Sequence, residues 1–227
     1  MEIGIIAEGR ADQFVLRNIL YAFDIEKADI QLIRPELETD VMDSDGEKDE
    51  NTKSFGSWTN VQKDCLSREP FVDFFENFEE DRYMIVQLDS DVCSEYGVQE
   101  LVNIKEIGIQ TFFVEMRNKI IDKVKEWLAG EYVEKVLFAI CIRQIDAWVL
   151  TIYANQQTKD TGGISMPKRE LQGLDAFKKL KGRDISMKYA ILSEQFSNPK
   201  KLSKFQKNNQ SLSDFVTSIQ QKLKRES

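Results

Sequence analysis

The chain has 227 residues, of which 41% are apolar and 31% charged, with a formal net charge of −8 and no histidine. That suits a globular chain of one domain, or one domain with an extension, long enough to bury a core. The absence of histidine excludes Ser-His-Asp and Cys-His catalysis, histidine metal sites and histidine pH switches.

Ile3 to Ala7 is a short apolar run of buried-strand length, ended by Glu8-Gly9, where Gly9 allows a sharp turn. Asp12 suits the first turn of a helix whose apolar face carries Phe14, Val15, Leu16, Ile19, Leu20 and Phe23. Ile30 to Ile33 reads as a second strand closed by Pro35. Residues 36–58 read as an acidic surface loop, with eight acids between Glu36 and Glu50. An EF-hand register there would put Val41 and Thr52 at ligand positions, so a calcium loop is rejected. Trp58 to Phe78 is helical in pattern and interrupted by Pro70. Tyr83 to Leu88 is a third strand that runs into Asp89-Ser90-Asp91. Residues 92–109 read as a loop or lid, and Thr111 to Leu128 as a long amphipathic helix. Val133 to Ile142 is a fourth buried strand, followed by a helix from Gln144 to Ala154. Gly162-Gly163 reads as a flexible link. Shorter basic helices follow, the last capped by Ser211.

Strands alternating with helices predict βαβ units: an α/β fold with a mostly parallel sheet and helices on both faces. The charge divides unevenly. Residues 167–227 carry 14 basic and 6 acidic residues, a net +8, against −16 on residues 1–166. The expected organisation is an α/β domain over residues 1–155 and a C-terminal basic α-helical extension over 156–227 packed on it. A basic segment of this kind suits a polyanionic partner, or docks on the acidic body. Cys65, Cys93 and Cys141 form no CxxC pair, which points to a reducing cytosol and no zinc knuckle. No membrane span and no signal peptide are expected.

Glu8 leaves the C-terminal end of the first strand, Asp89 and Asp91 leave the third, and Asp146 follows the fourth. In a parallel sheet these ends share one edge, where ligands bind. Clustered carboxylates repel one another unless a cation neutralises them, and an all-oxygen donor set suits Mg²⁺, with Mn²⁺ as substitute. Mg²⁺ shares its shell with substrate phosphates, as metal-assisted phosphoryl transfer requires. Arg143, beside the same edge, could clamp a phosphate or pair with Asp89 or Asp146. Lys188 could reach that edge as well.

Ile5-Ile6-Ala7-Glu8-Gly9 and Val86-Gln87-Leu88-Asp89-Ser90-Asp91 resemble the TOPRIM domain shared by topoisomerases, DnaG-type primases and OLD-family nucleases. The resemblance covers residues 3 to about 155. It implies acid–base chemistry at Glu8 and Mg²⁺ held by Asp89 and Asp91. Gly56-Ser57-Trp58, Arg143-Gln144-Ile145-Asp146-Ala147-Trp148 and Asn209-Gln210-Ser211-Leu212 are similar to the small stand-alone TOPRIM-like proteins of bacterial anti-phage defence loci. Their usual Arg-Glu-x-Glu-x-Trp motif has both acids replaced here, by Gln144 and Asp146. The resemblance implies a cytoplasmic, metal-dependent endonuclease acting on DNA or RNA, with an ABC-type ATPase partner. It leaves open a homo-oligomer. On this reading Glu8, Asp89, Asp91 and Arg143 are catalytic, Glu8, Asp89, Asp91 and Asp146 face the metal, and the basic C-terminal segment tracks the phosphate backbone. Two alternatives remain: a non-catalytic TOPRIM-like regulatory module, and a haloacid-dehalogenase-type phosphotransfer enzyme with Asp89 as nucleophile.

Overall fold

A computed structural model describes residues 1–35, 57–75, 81–101, 108–154 and 160–225. The acidic run from Glu36 to Glu50 lies outside these. Strands β1 (Glu2–Ile6), β2 (Ile30–Arg34), β3 (Arg82–Asp89) and β4 (Val136–Cys141) form a parallel sheet in the order β2-β1-β3-β4. Ile5 lies opposite Ile85, and Asp89 opposite Cys141. The chain leaves β1 for β2 on one side and returns past it to β3 on the other. The strand order therefore reverses between β1 and β3, and at such a switch point the connecting loops part to leave a crevice.

Strand alternation divides the apolar residues between two cores. Ile3, Ile5, Ile85, Leu137 and Ala139 face helix α1 (Arg10–Tyr21), which buries Val15, Leu16, Ile19 and Leu20 against them. Ile6, Met84, Val86, Leu88 and Ile140 face the opposite layer. That layer holds α2 (Trp58–Ser67), α3 (Glu69–Phe75) and α4 (Ile109–Trp127). The break between α2 and α3 falls at Arg68, whose backbone is left-handed (φ 60°), just ahead of Pro70. Gly4 is a close-approach position: a β-carbon there would stand 2.6 Å from Ile33 Cδ1 and 2.7 Å from Met84 Sδ. The fourth strand is shorter than its apolar run, because Val133–Lys135 forms a 3₁₀ turn before it.

After β4 come α5 (Ile145–Leu150), α6 (Pro167–Gly173), α7 (Asp175–Lys178), α8 (Ile185–Leu192), α9 (Pro199–Phe205) and α10 (Gln210–Arg225). These helices have no core of their own. Leu171, Tyr189, Phe196, Leu202, Phe215 and Ile219 belong to the same apolar cluster as Ile3 and Ile85. Gly162-Gly163, expected as a flexible link, lies in a 3₁₀ turn in which Thr161 and Gly162 are buried. Thr161 Oγ1 donates to the Ala147 carbonyl at 2.7 Å and accepts from Asn209 Nδ2 at 3.0 Å, which pins the turn.

The cap of α10 also differs from expectation. Asn209 Oδ1 accepts the Leu212 N–H at 3.0 Å, so Asn209 caps the helix. Ser211 turns inward instead. Its hydroxyl accepts from Trp148 Nε1 at 2.8 Å and from the Ile142 N–H at 3.4 Å, and donates to Asn209 Oδ1 at 2.9 Å. Trp148 is fully buried and stacks on Phe215 with ring centroids 5.4 Å apart. Replacing Ser211 with Ala strands two buried donors, and an unsatisfied buried donor costs about 1–3 kcal/mol. Ser211→Ala should therefore lower the unfolding free energy by about that amount, read by chemical denaturation. An unchanged value would mean that Trp148 finds another acceptor.

Candidate functional site

The carboxyl-end edge of the sheet opens into a cleft of about 390 Å³ at the β1/β3 switch point. Five acids line it: Glu8, Asp12, Asp89, Asp91 and Asp146. Gln144, Lys168, Ile185, Ser186 and Tyr189 are also on its wall. The structure thus brings together all four carboxylates read from the sequence as metal-facing and adds Asp12. A second cleft, about 310 Å³, lies against α4, but its Lys123 is already paired with Glu126 at 2.9 Å.

The β1 and β3 ends hold each other through a reciprocal hydrogen-bond set. The Asp89 N–H donates to Glu8 Oε1 at 2.6 Å, and the Glu8 N–H donates to Gln87 Oε1 at 2.9 Å. Gln87 Nε2 donates to Asp89 Oδ1 at 2.8 Å. Gln87 is completely buried on β3, so its amide is a fixed bridge between the two acids. The Ile145 N–H, in the first turn of α5, gives Asp89 Oδ1 a further donor at 3.1 Å.

Asp91 reaches the same cleft by a turn rather than by strand alternation, because β3 ends at Asp89. Ser90 and Asp91 both donate their N–H groups to the Arg143 carbonyl, at 3.1 and 3.2 Å. The Arg143 N–H donates to Ser90 Oγ at 2.8 Å. Arg143 adopts a left-handed backbone (φ 69°), uncommon for a residue with a β-carbon, and this conformation is held by those three bonds. Its side chain does not follow the sequence reading. The guanidinium lies 3.8 Å from Glu100, and Arg143 is not among the residues lining the cleft. Its backbone pins the Asp89-Ser90-Asp91 turn. Lys188 is likewise turned away, its Nζ 5.0 Å from the Phe177 ring centroid. Cys93 is buried, and burial pushes its thiol pKa up, which makes it inert.

Asp12 was legible only as a helix-start acid. Gly9 is the N-cap of α1, with an extended backbone rather than a sharp glycine turn. Asp12, three residues on, accepts the Gly9 N–H, the return half of a capping box. A β-carbon on residue 9 would stand 3.0 Å from Asp12 Oδ2, so glycine leaves room for the carboxylate. Asp146 is 5% exposed and accepts a hydrogen bond from the Tyr189 hydroxyl on α8. Gln144 Nε2 donates to Asp91 Oδ2 at 2.7 Å. Tyr189 and Lys168 come from the C-terminal segment, and no local sequence signal distinguished them from its other residues.

Burial is the main reason that these carboxyl groups favour their protonated forms. It raises Glu8 to about 7, opposed by the Asp89 N–H and assisted by Asp91 and Glu95. Asp89 and Asp12 are pushed well above the usual carboxylate range by burial and then by neighbouring acids. Asp91 and Asp146 are raised by burial and partly relieved by Gln144 and Tyr189 respectively. Lys168 lowers Asp12, Asp91 and Asp146. The donor chemistry, oxygen ligands only, suits a hard divalent cation, and Arg10 and Lys168 are the cations on the cleft wall. Among the described residues, no three acids are placed to close on one ion. Glu8, Asp89, Asp91 and Asp146 each have an oxygen engaged by a protein donor.

Comparison with protein-family models, curated proteins and solved structures gave no match. Among the described residues no helix is long and apolar enough to cross a membrane.

Raised carboxyl pKa values mean that the folded chain binds protons more tightly than the unfolded one. For Glu8, between its ordinary 4.5 and about 7, the unfolding free energy falls as pH rises. The metal-free protein should therefore melt at a higher temperature near about pH 5.5 than near about pH 8. Asp89→Asn should raise the melting temperature at the higher pH and narrow the difference, because Asn keeps an acceptor oxygen and loses a charge. Calorimetry at the two pH values checks both; a larger gap in the variant would contradict the electrostatic account.

Proposed function

We propose that the chain is a Mg²⁺-dependent, TOPRIM-like nuclease that cleaves nucleic-acid phosphodiesters. The observation that carries this reading is the gathering of five carboxylates in one cleft at the switch point of a parallel sheet. Three of them, Glu8, Asp89 and Asp91, are the positions by which the sequence resembles the TOPRIM domain. Asp89 and Asp91 would hold the metal, with Asp146 and Asp12 adding negative charge. A bound Mg²⁺ would neutralise the cluster, polarise a phosphoryl oxygen and acidify water. Glu8, fixed through one oxygen by the Asp89 N–H, keeps a second oxygen for proton transfer at the reacting phosphate. Gln87 holds Glu8 and Asp89 in mutual register, and Tyr189 holds Asp146. The same resemblance supports a cytoplasmic setting, a role in anti-phage defence and a partner ATPase of the ABC type.

One observation favours a second reading, a non-catalytic TOPRIM-like subunit. Gln144 places a neutral amide on Asp91 where the resembled motif has an acid, and among the described residues no three acids converge on one ion.

Mg²⁺ or Mn²⁺ should raise the melting temperature by mass action, and the Asp89→Ala/Asp91→Ala double variant should lose that shift. A double variant that gains as much from Mn²⁺ as the parent would sink the metal site. Glu8→Gln should keep much of the metal-induced shift and lose cleavage, assayed with the reconstituted ATPase pair or as growth arrest on expression. Metal binding without cleavage by the parent in the reconstituted pair would favour the second reading.

A further inference from the structure

The basic segment has two halves with different positions. Residues 167–188 carry seven basic and three acidic residues, and residues 189–227 carry seven and three as well. Charge count alone does not separate them; location does. Helices α6, α7 and α8 pack one on the next, and α6 packs on α5, which bears Asp146. Lys168 of α6 lines the acidic cleft, as do Ile185 and Ser186 at the start of α8. Arg169, Lys179, Lys181 and Arg183 are exposed along the same three helices and their connections. None of these cations makes an ion pair among the described residues. Helix α9, with Lys200, Lys201 and Lys204, packs instead against the 3₁₀ turns at Glu194–Ser197 and Gln206–Asn208, and none of its residues lines the cleft.

Helix α8 has a second peculiarity. It buries Ser186, Tyr189 and Leu192, yet it shows apolar side chains to solvent as well. Ile185 is 45% exposed and Met187 47%, and Met166, just before α6, is 58% exposed. A helix apolar on its outer face signals a binding surface. Here the exposed apolar groups are interleaved with unpaired cations at the mouth of a carboxylate cleft. Cations suit a phosphate backbone, and bare aliphatic and thioether groups suit the faces of unstacked bases. A duplex offers the former and hides the latter.

We infer that the rim formed by α6, α7 and α8 is the nucleic-acid grip of this protein, and that it takes a single strand with its backbone along Arg169, Lys179, Lys181 and Arg183 and its bases against Met166, Ile185 and Met187. This rests on the nuclease reading and narrows it. Within the basic C-terminal segment, the rim and not α9 is then the backbone-tracking element. It leads the strand to Lys168, which offsets the repulsion between an incoming phosphate and the five acids.

The test uses the full chain with fluorescein-labelled oligothymidylate, oligouridylate and a DNA duplex of equal length, read by fluorescence anisotropy in Ca²⁺ over a range of KCl. Three variants are compared with the parent: Lys179→Glu/Lys181→Glu/Arg183→Glu on the rim, Lys200→Glu/Lys201→Glu/Lys204→Glu on α9, and Ile185→Ser/Met187→Ser. The rim variant should lose about tenfold or more in affinity for single strands, and its log–log salt slope should flatten by about 0.7 for each lost contact. The α9 variant should bind as the parent does. The Ile185/Met187 variant should lose the preference for single strand over duplex while keeping the parent's salt slope. The inference is overturned if the rim variant binds as the parent does, if the α9 variant is the one that loses binding, or if the parent binds no oligonucleotide and the rim serves a protein partner. Cleavage is scored separately in Mg²⁺ with the reconstituted ATPase pair. Rim-dependent binding without any cleavage upholds the grip and removes the nuclease reading, whereas cleavage with rim-independent binding removes the grip alone.

Discussion

Mutual repulsion among five carboxylates is the constraint around which this molecule is arranged. Folding draws Glu8, Asp12, Asp89, Asp91 and Asp146 into one cleft and removes much of their water. Left to themselves, such groups would separate or stay protonated. Here each is held. Glu8 is held by a main-chain N–H of β3, Asp89 by Gln87 and the first turn of α5, and Asp12 by the N–H of Gly9. Asp91 is held by Gln144, and Asp146 by Tyr189. The donors come from four different parts of the chain, so the surrounding fold opposes the repulsion.

Much of that fold was legible in the sequence. The short apolar runs at Ile3 and Tyr83, each ending in an acid, placed both central strands within a residue or two. The parallel sheet then put Glu8, Asp89, Asp91 and Asp146 on one edge. Asp91 shares the cleft with Asp89 because the backbone turns at Ser90 and is tied to the Arg143 carbonyl.

What stayed hidden depended on long-range contacts or on local geometry that residue types do not reveal. Asp12 is an ordinary acid in a helix's first turn, and only the folded chain shows it as the cleft's fifth carboxylate. Tyr189 and Lys168 belong to helices read as a separate extension, since charge changes sign near residue 167 while the apolar core does not. Ser211 reads as a helix cap from its spacing, but its hydroxyl is claimed by Trp148, more than sixty positions away. Arg143 reads as a phosphate clamp because it follows a strand end, yet its side chain lies against Glu100.

The shared core has a consequence for how the protein comes into being. Glu8, Asp89 and Asp91 leave the ribosome early, but the layer that closes over their strands is completed only by Phe215 and Ile219 of α10. At the usual pace of synthesis that interval is on the order of ten seconds. Until then that face of the sheet is covered by α1 but not by the later helices, and Asp146 lacks its tyrosine until α8 is made. The full cleft therefore cannot form before α10 is made, and the slow, distant pairing that completes it makes the half-made chain a natural client for chaperones.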